Sequence, residues 1–108
     1  MYARNTYDYD LIIYVANWPK TRIAAWDTLL KARAIENMSY CVGVNRVGVD
    51  GNNLEYIGHS AVYDVLGGEM VTAHTQEGVV TTTLTKAHVN DTRSKLPFLQ
   101  DKDRFTLE

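Results

Sequence analysis

The side chains that most often carry covalent or acid–base chemistry are few in this sequence of 108 residues. Cys41 is the only cysteine, and its neighbours Tyr40, Val42 and Val44 place it within an apolar stretch. A nucleophilic thiol needs an exposed, electropositive setting that favours the thiolate, whereas an apolar setting favours the neutral thiol. We therefore interpret Cys41 as a small buried core residue rather than as a nucleophile.

The other candidate groups form no catalytic or metal-binding pattern. His59, His74 and His88 are far apart and have no Cys or carboxylate partner at metal-ligand spacing, which predicts surface or loop histidines and no metal site. The glycines of residues 43–48 have P-loop-like spacing, but the phosphate-binding lysine does not follow them. No paired-carboxylate pattern is seen among the acidic candidates, which are Asp8, Asp10 and Asp64.

The periodicity of the chain predicts the elements that would position these residues. Residues 10–16 form a continuous, β-branched apolar run, which is typical of a strand buried on both faces. Residues 21–38 have apolar side chains at three- and four-residue steps, which predicts one long helix. A second buried strand is predicted at residues 40–47, followed by a turn at residues 50–53. Further strands are predicted at 60–65, 69–73 and 79–84, the first two joined through Gly67 and Gly68, and residues 86–95 are at most weakly helical.

This order of elements predicts an α/β domain with a mixed sheet and helices on one face. Two strands with apolar residues on both faces need cover on both, yet the sequence offers one strong helix and one weak helix. An uncovered apolar face is unfavourable by about 25 cal/mol per Å². We therefore expect another layer, supplied by a partner chain or by sequence outside these residues.

The composition excludes several classes of protein. The 11 Lys and Arg residues against 13 Asp and Glu give a net charge of −2, which favours neither nucleic-acid nor membrane binding. The longest apolar run, residues 11–16, is far shorter than the roughly 20 residues of a membrane helix. A single cysteine excludes an intrachain disulfide and suits the reducing cytoplasm. The length fits one domain over residues 1–108.

Four segments form a recognisable series, namely residues 10–19 (DLIIYVANWP), 26–37 (WDTLLKARAIEN), 43–48 (GVNRVG) and 50–52 (DGN). This series resembles the nitrilase, or carbon–nitrogen hydrolase, superfamily. Within it the chain is most similar to the bacterial omega-amidases that act on 2-oxoglutaramate and related ω-amides. The resemblance covers essentially the whole chain and continues through Ser60, Asp64, Gly67, Arg93 and Pro97.

The resemblance implies that the chain is the C-terminal half of a nitrilase-type αββα sandwich, which dimerises. It implies hydrolysis of an ω-amide to acid and ammonia through a Cys thioester, with a Glu base, a Lys that stabilises the oxyanion and no cofactor. In the family these three residues precede the matched segment, and Cys41 does not occupy the nucleophile position. We therefore expect no catalytic residue here and no amidase activity of this chain alone. The alternative is a non-catalytic remnant that acts as an oligomerisation or interaction module.

By the same resemblance, some residues of this chain have supporting roles. Asn17 and Trp18 follow the strand beside the nucleophile strand, so they are expected in the wall of the substrate pocket. Trp26 belongs either to this wall or, as we favour, to the core. Many relatives carry His-Trp where this chain has Ala25 and Trp26, so any role of that histidine is absent.

The long helix matches one at the dimer interface of the family. Its residues Arg33, Glu36 and Asn37 are therefore expected to be interface or structural residues rather than catalysts. The expected partners are a small-molecule amide for the complete enzyme and either a second copy of the chain or the missing N-terminal half. Neither nucleic acid nor a membrane is expected, and the expected location is the cytoplasm.

Overall fold

The fold is built on a four-stranded mixed sheet and a separate two-stranded hairpin, in a computed structural model that describes residues 8–101 and residue 103. In chain order the elements are β1 (Leu11–Ala16), α1 (Ile23–Asn37), β2 (Tyr40–Asn45), β3 (Val47–Val49), β4 (Glu55–Ile57), β5 (Ser60–Tyr63), β6 (Glu69–His74) and α2 (Lys86–Lys95). The larger sheet has the order β1-β2-β5-β6, and β3 pairs with β4. The predicted α/β class, with a mixed sheet and one long helix, is confirmed.

The helix α1 connects two parallel strands. β1 pairs with β2 so that Leu11 lies opposite Tyr40 and Ala16 lies opposite Asn45. Parallel neighbours need a crossover connection, which here consists of a short 3₁₀ turn at Lys20–Arg22 and then α1. The helix ends where Met38 adopts a left-handed conformation with a φ of 47°, and the chain then enters β2. The helix predicted at residues 21–38 is therefore confirmed.

The main core lies between α1 and one face of the sheet. Its buried residues are Trp26, Leu30, Ala34, Cys41, Ala61 and Tyr63. Gly43 of β2 faces the helix so closely that a Cβ atom there would lie 2.8 Å from Leu30 Cδ2 and 2.8 Å from Trp26 Cζ2. Only glycine fits this position without moving α1 away from the sheet.

The opposite face of the sheet is aliphatic and largely uncovered among the described residues. We refer to it as the open face and define it by Ile13 and Val15 of β1 and Val42 and Val44 of β2, which alternate with the core-facing positions. The exposed fraction is 57% for Ile13, 81% for Val15 and 46% for Val44. Among the described residues β1 is therefore covered on one face only, and its burial on both faces stays a prediction that depends on the further layer expected from outside these residues.

The strand predicted at residues 40–47 is divided into β2 and β3, with the break at Arg46. β3 leaves the sheet and forms a hairpin with β4 around the turn predicted at residues 50–53. Asp50 closes this turn, because its Oδ1 accepts the backbone N–H groups of Asn52 at 2.8 Å and Leu54 at 3.0 Å. β4 has three residues, which is too short for its alternation to be recognised in the sequence.

Two predictions near the end of the chain are wrong. Residues 79–84 form no strand, and Val79 is 94% exposed; a strand needs a hydrogen-bonded neighbour, and none of the described strands pairs with this segment. Residues 86–95 are a regular ten-residue helix rather than a weak one. The Thr85 hydroxyl caps this helix by accepting the His88 N–H at 3.2 Å, and Val89 is buried against Tyr40. None of the described helices has the length and apolar character needed to cross a bilayer.

Candidate functional site

The candidate site lies at the edge of the sheet where the carboxyl ends of β1 and β2 meet, since these two strands are parallel. Ligands of α/β sheets typically bind beyond the carboxyl ends of parallel strands. Asn17 and Trp18 directly follow β1 at this edge, and Asn45 ends β2 beside them. The structure therefore brings the two residues predicted in a pocket wall to the edge where a pocket is expected.

The side chain of Asn45 fixes the backbone of Trp18. Its Oδ1 accepts the Trp18 N–H at 2.7 Å, and its Nδ2 donates to the carbonyl oxygens of Trp18 and Gly58, each at 2.9 Å. The hydroxyl of Ser60 accepts the backbone N–H of Asn45 at 2.9 Å. Asn45 is buried, and a buried amide with all of these partners holds the exit of β1, the end of β2 and the start of β5 together.

Sequence reasoning did not identify this role of Asn45. The available signal was a polar residue at the end of an otherwise apolar strand, a position where a buried amide requires hydrogen-bond partners. The partners themselves could not be deduced, because Trp18 and Gly58 are 27 and 13 residues away from Asn45 in the sequence.

Two tryptophans lie next to each other at this edge. The ring centroids of Trp18 and Trp26 are 5.9 Å apart, with an angle of 41° between the ring planes. Trp26 is buried in the core and donates its Nε1–H to the carbonyl oxygen of His59 at 2.8 Å. Trp18 is half-buried and donates its Nε1–H to the carbonyl oxygen of Arg22 at 2.6 Å. The favoured core position of Trp26 agrees with this packing, and a pocket role for both rings stays a prediction.

His59 and Asp27 form a hydrogen-bonded pair next to the tryptophans. The Nδ1 atom of His59 is 3.0 Å from both carboxylate oxygens of Asp27, which belongs to α1. His59 lies in the loop between β4 and β5, as predicted, but it is half-buried and has a backbone φ of 56°. A separation of 32 residues explains why the spacing of the sequence did not reveal the carboxylate partner.

Cys41 lies in the core, as predicted, and not at the candidate site. It is completely buried, and burial raises the pKa of its thiol to about 11, although the Arg33 guanidinium acts in the opposite direction. The thiol is therefore neutral at pH 7 and unsuited to nucleophilic attack.

The other two histidines lie away from the candidate site or outside the described side chains. His88 packs against the ring of Tyr40, and the His74 side chain lies outside the described residues. No group of three or more His, Cys, Asp or Glu residues in the described part of the chain could hold a metal ion.

Arg33, Glu36 and Asn37 form local contacts on α1. The Arg33 guanidinium donates to the Glu36 carboxylate at 2.7 Å, and the Asn37 amide donates to the Arg33 carbonyl oxygen at 2.9 Å. Asn37 is buried at the end of the helix. These contacts fit the structural part of the prediction, and a role at a dimer interface stays a prediction.

A groove of about 760 Å³ lies along the open face of the sheet. The lining is mostly aliphatic and includes Val42, Val44, Val62, Val71, Val79 and Val80. Such a lining offers an apolar packing surface and no arrangement of acid, base and nucleophile.

Comparison with known proteins identifies the family. The family model for carbon–nitrogen hydrolases matches residues 2–94. The omega-amidase YafV of Escherichia coli K12 is 44% identical over 108 residues, which is 99% of this chain and 42% of that protein. The 2-oxoglutaramate amidase of Paenarthrobacter nicotinovorans is 42% identical over 92 residues, which is 85% of this chain and 31% of that protein.

A solved structure gives the same assignment. The protein XC1258 from Xanthomonas campestris, described as a CN-hydrolase superfamily protein with an arsenic adduct in the active site, superimposes with a TM-score of 0.95 at 48% identity. The match covers 99% of this chain and 43% of that one. The chain thus spans about two-fifths of the length of the E. coli omega-amidase and of XC1258. It belongs to the carbon–nitrogen hydrolase family and, within it, to the omega-amidase-like branch.

Proposed function

We propose that this chain is the C-terminal portion of an omega-amidase that hydrolyses ω-amides such as 2-oxoglutaramate to the acid and ammonia. The observation that carries this proposal is the 44% identity to an omega-amidase over 99% of the chain. In the complete enzyme a thiolate attacks the amide carbon, ammonia leaves with a proton from the general acid–base, and water then hydrolyses the thioester. A positive charge stabilises the oxyanion of each tetrahedral intermediate.

This chain contributes the wall of the pocket rather than the reacting groups. Asn17, Trp18 and Trp26 would border the bound amide at the carboxyl edge of β1 and β2, and Asn45 would hold the backbone of Trp18 in place. The isolated chain is inactive, because its one thiol is buried with a pKa of about 11. A reducing cytoplasm is the compartment in which we expect this thiol enzyme to work.

The partner that completes the enzyme is the N-terminal portion of the same kind of hydrolase, and it packs on the open face. Ile13, Val15 and Val44 expose a continuous aliphatic surface there, which is unfavourable in water. The remaining part of the relatives is more than half of their length, which is enough for a second layer. Dimerisation through α1 is a further expectation for the complete enzyme.

The test compares the chain alone with the same chain joined to the N-terminal portion of the E. coli omega-amidase, using ammonia release from glutaramate as the readout. We expect turnover only from the joined protein. In that protein a Cys41→Ala substitution retains turnover, whereas replacing the cysteine supplied by the N-terminal portion abolishes it. Turnover by the chain alone that is lost in Cys41→Ala would overturn the proposal.

The open face also supports a second candidate function, a non-catalytic module that associates through this face. A folded joined protein without turnover, together with a chain that forms stable dimers by light scattering, would favour this alternative. Loss of those dimers in Val15→Lys would assign the association to the open face, because an exposed lysine cannot enter an apolar interface without losing its hydration.

A further inference from the structure

One cation at the candidate site is held in place but has no acidic partner among the described residues. Arg22 lies at the end of the 3₁₀ turn, and its Cζ atom is 5.0 Å from the centroid of the Trp18 ring. The Trp18 indole also donates to the backbone carbonyl of Arg22 at 2.6 Å. Backbone and side chain of Arg22 are therefore both attached to Trp18, whose own backbone is fixed by Asn45.

Two other cations near this edge have an acidic side chain as a partner or neighbour. Lys20 forms an ion pair with Glu55 at 3.2 Å. Arg46 stacks on the Tyr56 ring at 4.9 Å, and it contributes to the lowered pKa of Asp50, which is caused chiefly by the backbone N–H of Leu54. No ion pair of this kind is seen for Arg22 in the described part of the chain.

An ω-amide of a dicarboxylic acid carries an amide at one end and a free carboxylate at the other. The amide must reach the nucleophile, so the carboxylate needs a separate cation within the same pocket. A guanidinium suits this task because its planar N–H groups can bind both oxygens of a carboxylate. Stacking on an aromatic ring leaves the edge of the guanidinium free for those hydrogen bonds.

We propose that Arg22, held on the ring of Trp18, binds the free carboxylate of the ω-amide substrate and thereby determines specificity. This inference rests on the proposed function and on the assignment of Trp18 to the pocket wall. Arg22 touches the substrate at the end remote from the reacting amide, so it affects recognition rather than the bond-breaking step.

The test uses the joined protein and two amides with the same three-carbon chain next to the amide, glutaramate and butyramide, of which butyramide lacks the carboxylate. In Arg22→Ala we expect kcat/KM for glutaramate to fall about 10- to 100-fold, mainly through KM, the range for a lost hydrogen bond to a charged group. Butyramide turnover should stay unchanged, which also shows that the variant is folded. Arg22→Lys should recover part of the loss, and glutarate should inhibit Arg22→Ala more weakly by a similar factor.

Arg46→Ala is the matched control, since Arg46 also stacks on an aromatic ring but has an acidic neighbour. It should leave the ratio of the two kcat/KM values as in the parent protein. An equal loss on both amides in Arg22→Ala, or no loss on either, would overturn the inference while leaving the proposed function intact. A joined protein that hydrolyses neither amide would overturn the proposed function and this inference with it.

Discussion

The two faces of the sheet have nearly the same apolar character but opposite environments. On the core face, Leu30 and Ala34 of α1 pack against Cys41 and Ala61 of the strands, and all four are almost completely buried. On the open face, Val15 of the same sheet is 81% exposed. A strand whose side chains are apolar on both faces of the sheet is suited to a sheet that lies between two other layers. We infer that β1 and β2 are suited to being covered by one layer on each face, and α1 is one of these two layers.

The largest expected effect is the loss of packing on the core face. In the chain alone, Leu30→Ala should lower the free energy of unfolding by about 2–5 kcal/mol, because it leaves a cavity beneath α1. Val15→Ala should change it by less than about 0.5 kcal/mol, as exposed substitutions usually do. Urea unfolding of both variants measures the difference.

In the joined protein the same two variants test whether the open face is covered. Once the open face is covered, Val15→Ala removes two buried carbons and should cost roughly 1–2 kcal/mol, at about 0.8 kcal/mol per methylene. A cost of that size already present in the chain alone would show that the open face is covered without a partner. An unchanged small cost in the joined protein would show that the N-terminal portion packs elsewhere.

An effect smaller than that of Leu30→Ala is expected where α1 approaches the sheet most closely. Gly43→Ala places a Cβ atom 2.8 Å from Leu30 Cδ2 and 2.8 Å from Trp26 Cζ2, so α1 must shift. Overpacking of this kind costs about 1–3 kcal/mol. Gly51→Ala is the control, since no heavy atom lies within 4 Å of its added Cβ, and it should be nearly neutral by urea unfolding. Equal stability of the two variants would contradict the close contact between α1 and β2.

The sequence predicted the elements whose signals are local. The apolar run of β1, the helical periodicity before Met38 and the Asp50 turn each depend on neighbouring residues, and each was placed correctly. The strand expected at residues 79–84 was wrong because strand formation also depends on residues far away in the sequence. Its composition favours a strand, but a ladder partner is a property of the assembled sheet and not of the segment.

The candidate site was less predictable than the fold. The family resemblance indicated Asn17 and Trp18, yet it gave neither the hydrogen bonds of Asn45 nor the pairing of His59 with Asp27. These contacts join residues that are far apart in the chain, and each depends on the sheet register and on the position of α1. The Thr85 cap of α2 was a missed local signal, because Thr before a helix is a common N-cap.

One end of the open face is covered, and it is covered by α2. Alternation along β2 places Tyr40 on the same face as Val42 and Val44, and Val89 of α2 packs against Tyr40. Arg93 of α2 donates to the carboxylate of Asp10 at 2.8 Å and to the carbonyl oxygen of Met38 at 3.0 Å. Lys86 also binds this carboxylate. Ion pairs, rather than a broad apolar contact, thus attach α2 to the start of β1.

The smallest predicted effect concerns this attachment and its pH dependence. The hydrogen bond from Lys86, with added help from the positive charge of Arg93, lowers the pKa of Asp10 below its usual range. Because the folded pKa lies below the unfolded value, the stabilisation is present above about pH 4 and is lost as the pH falls through the folded pKa. The loss should be at most about 1 kcal/mol, since the pair is partly exposed to solvent.

Urea unfolding between pH 7 and pH 2 measures this effect. Asp10→Asn should remove its part of the acid dependence and should weaken α2 specifically, seen as faster amide exchange of Val89 and Thr92. Lys86→Gln should make the acid loss smaller and complete at a higher pH in the parent chain, with no such change in the Asp10→Asn background. An identical pH profile in Asp10→Asn and the parent chain would show that the ion pairs of Asp10 do not stabilise the attachment of α2.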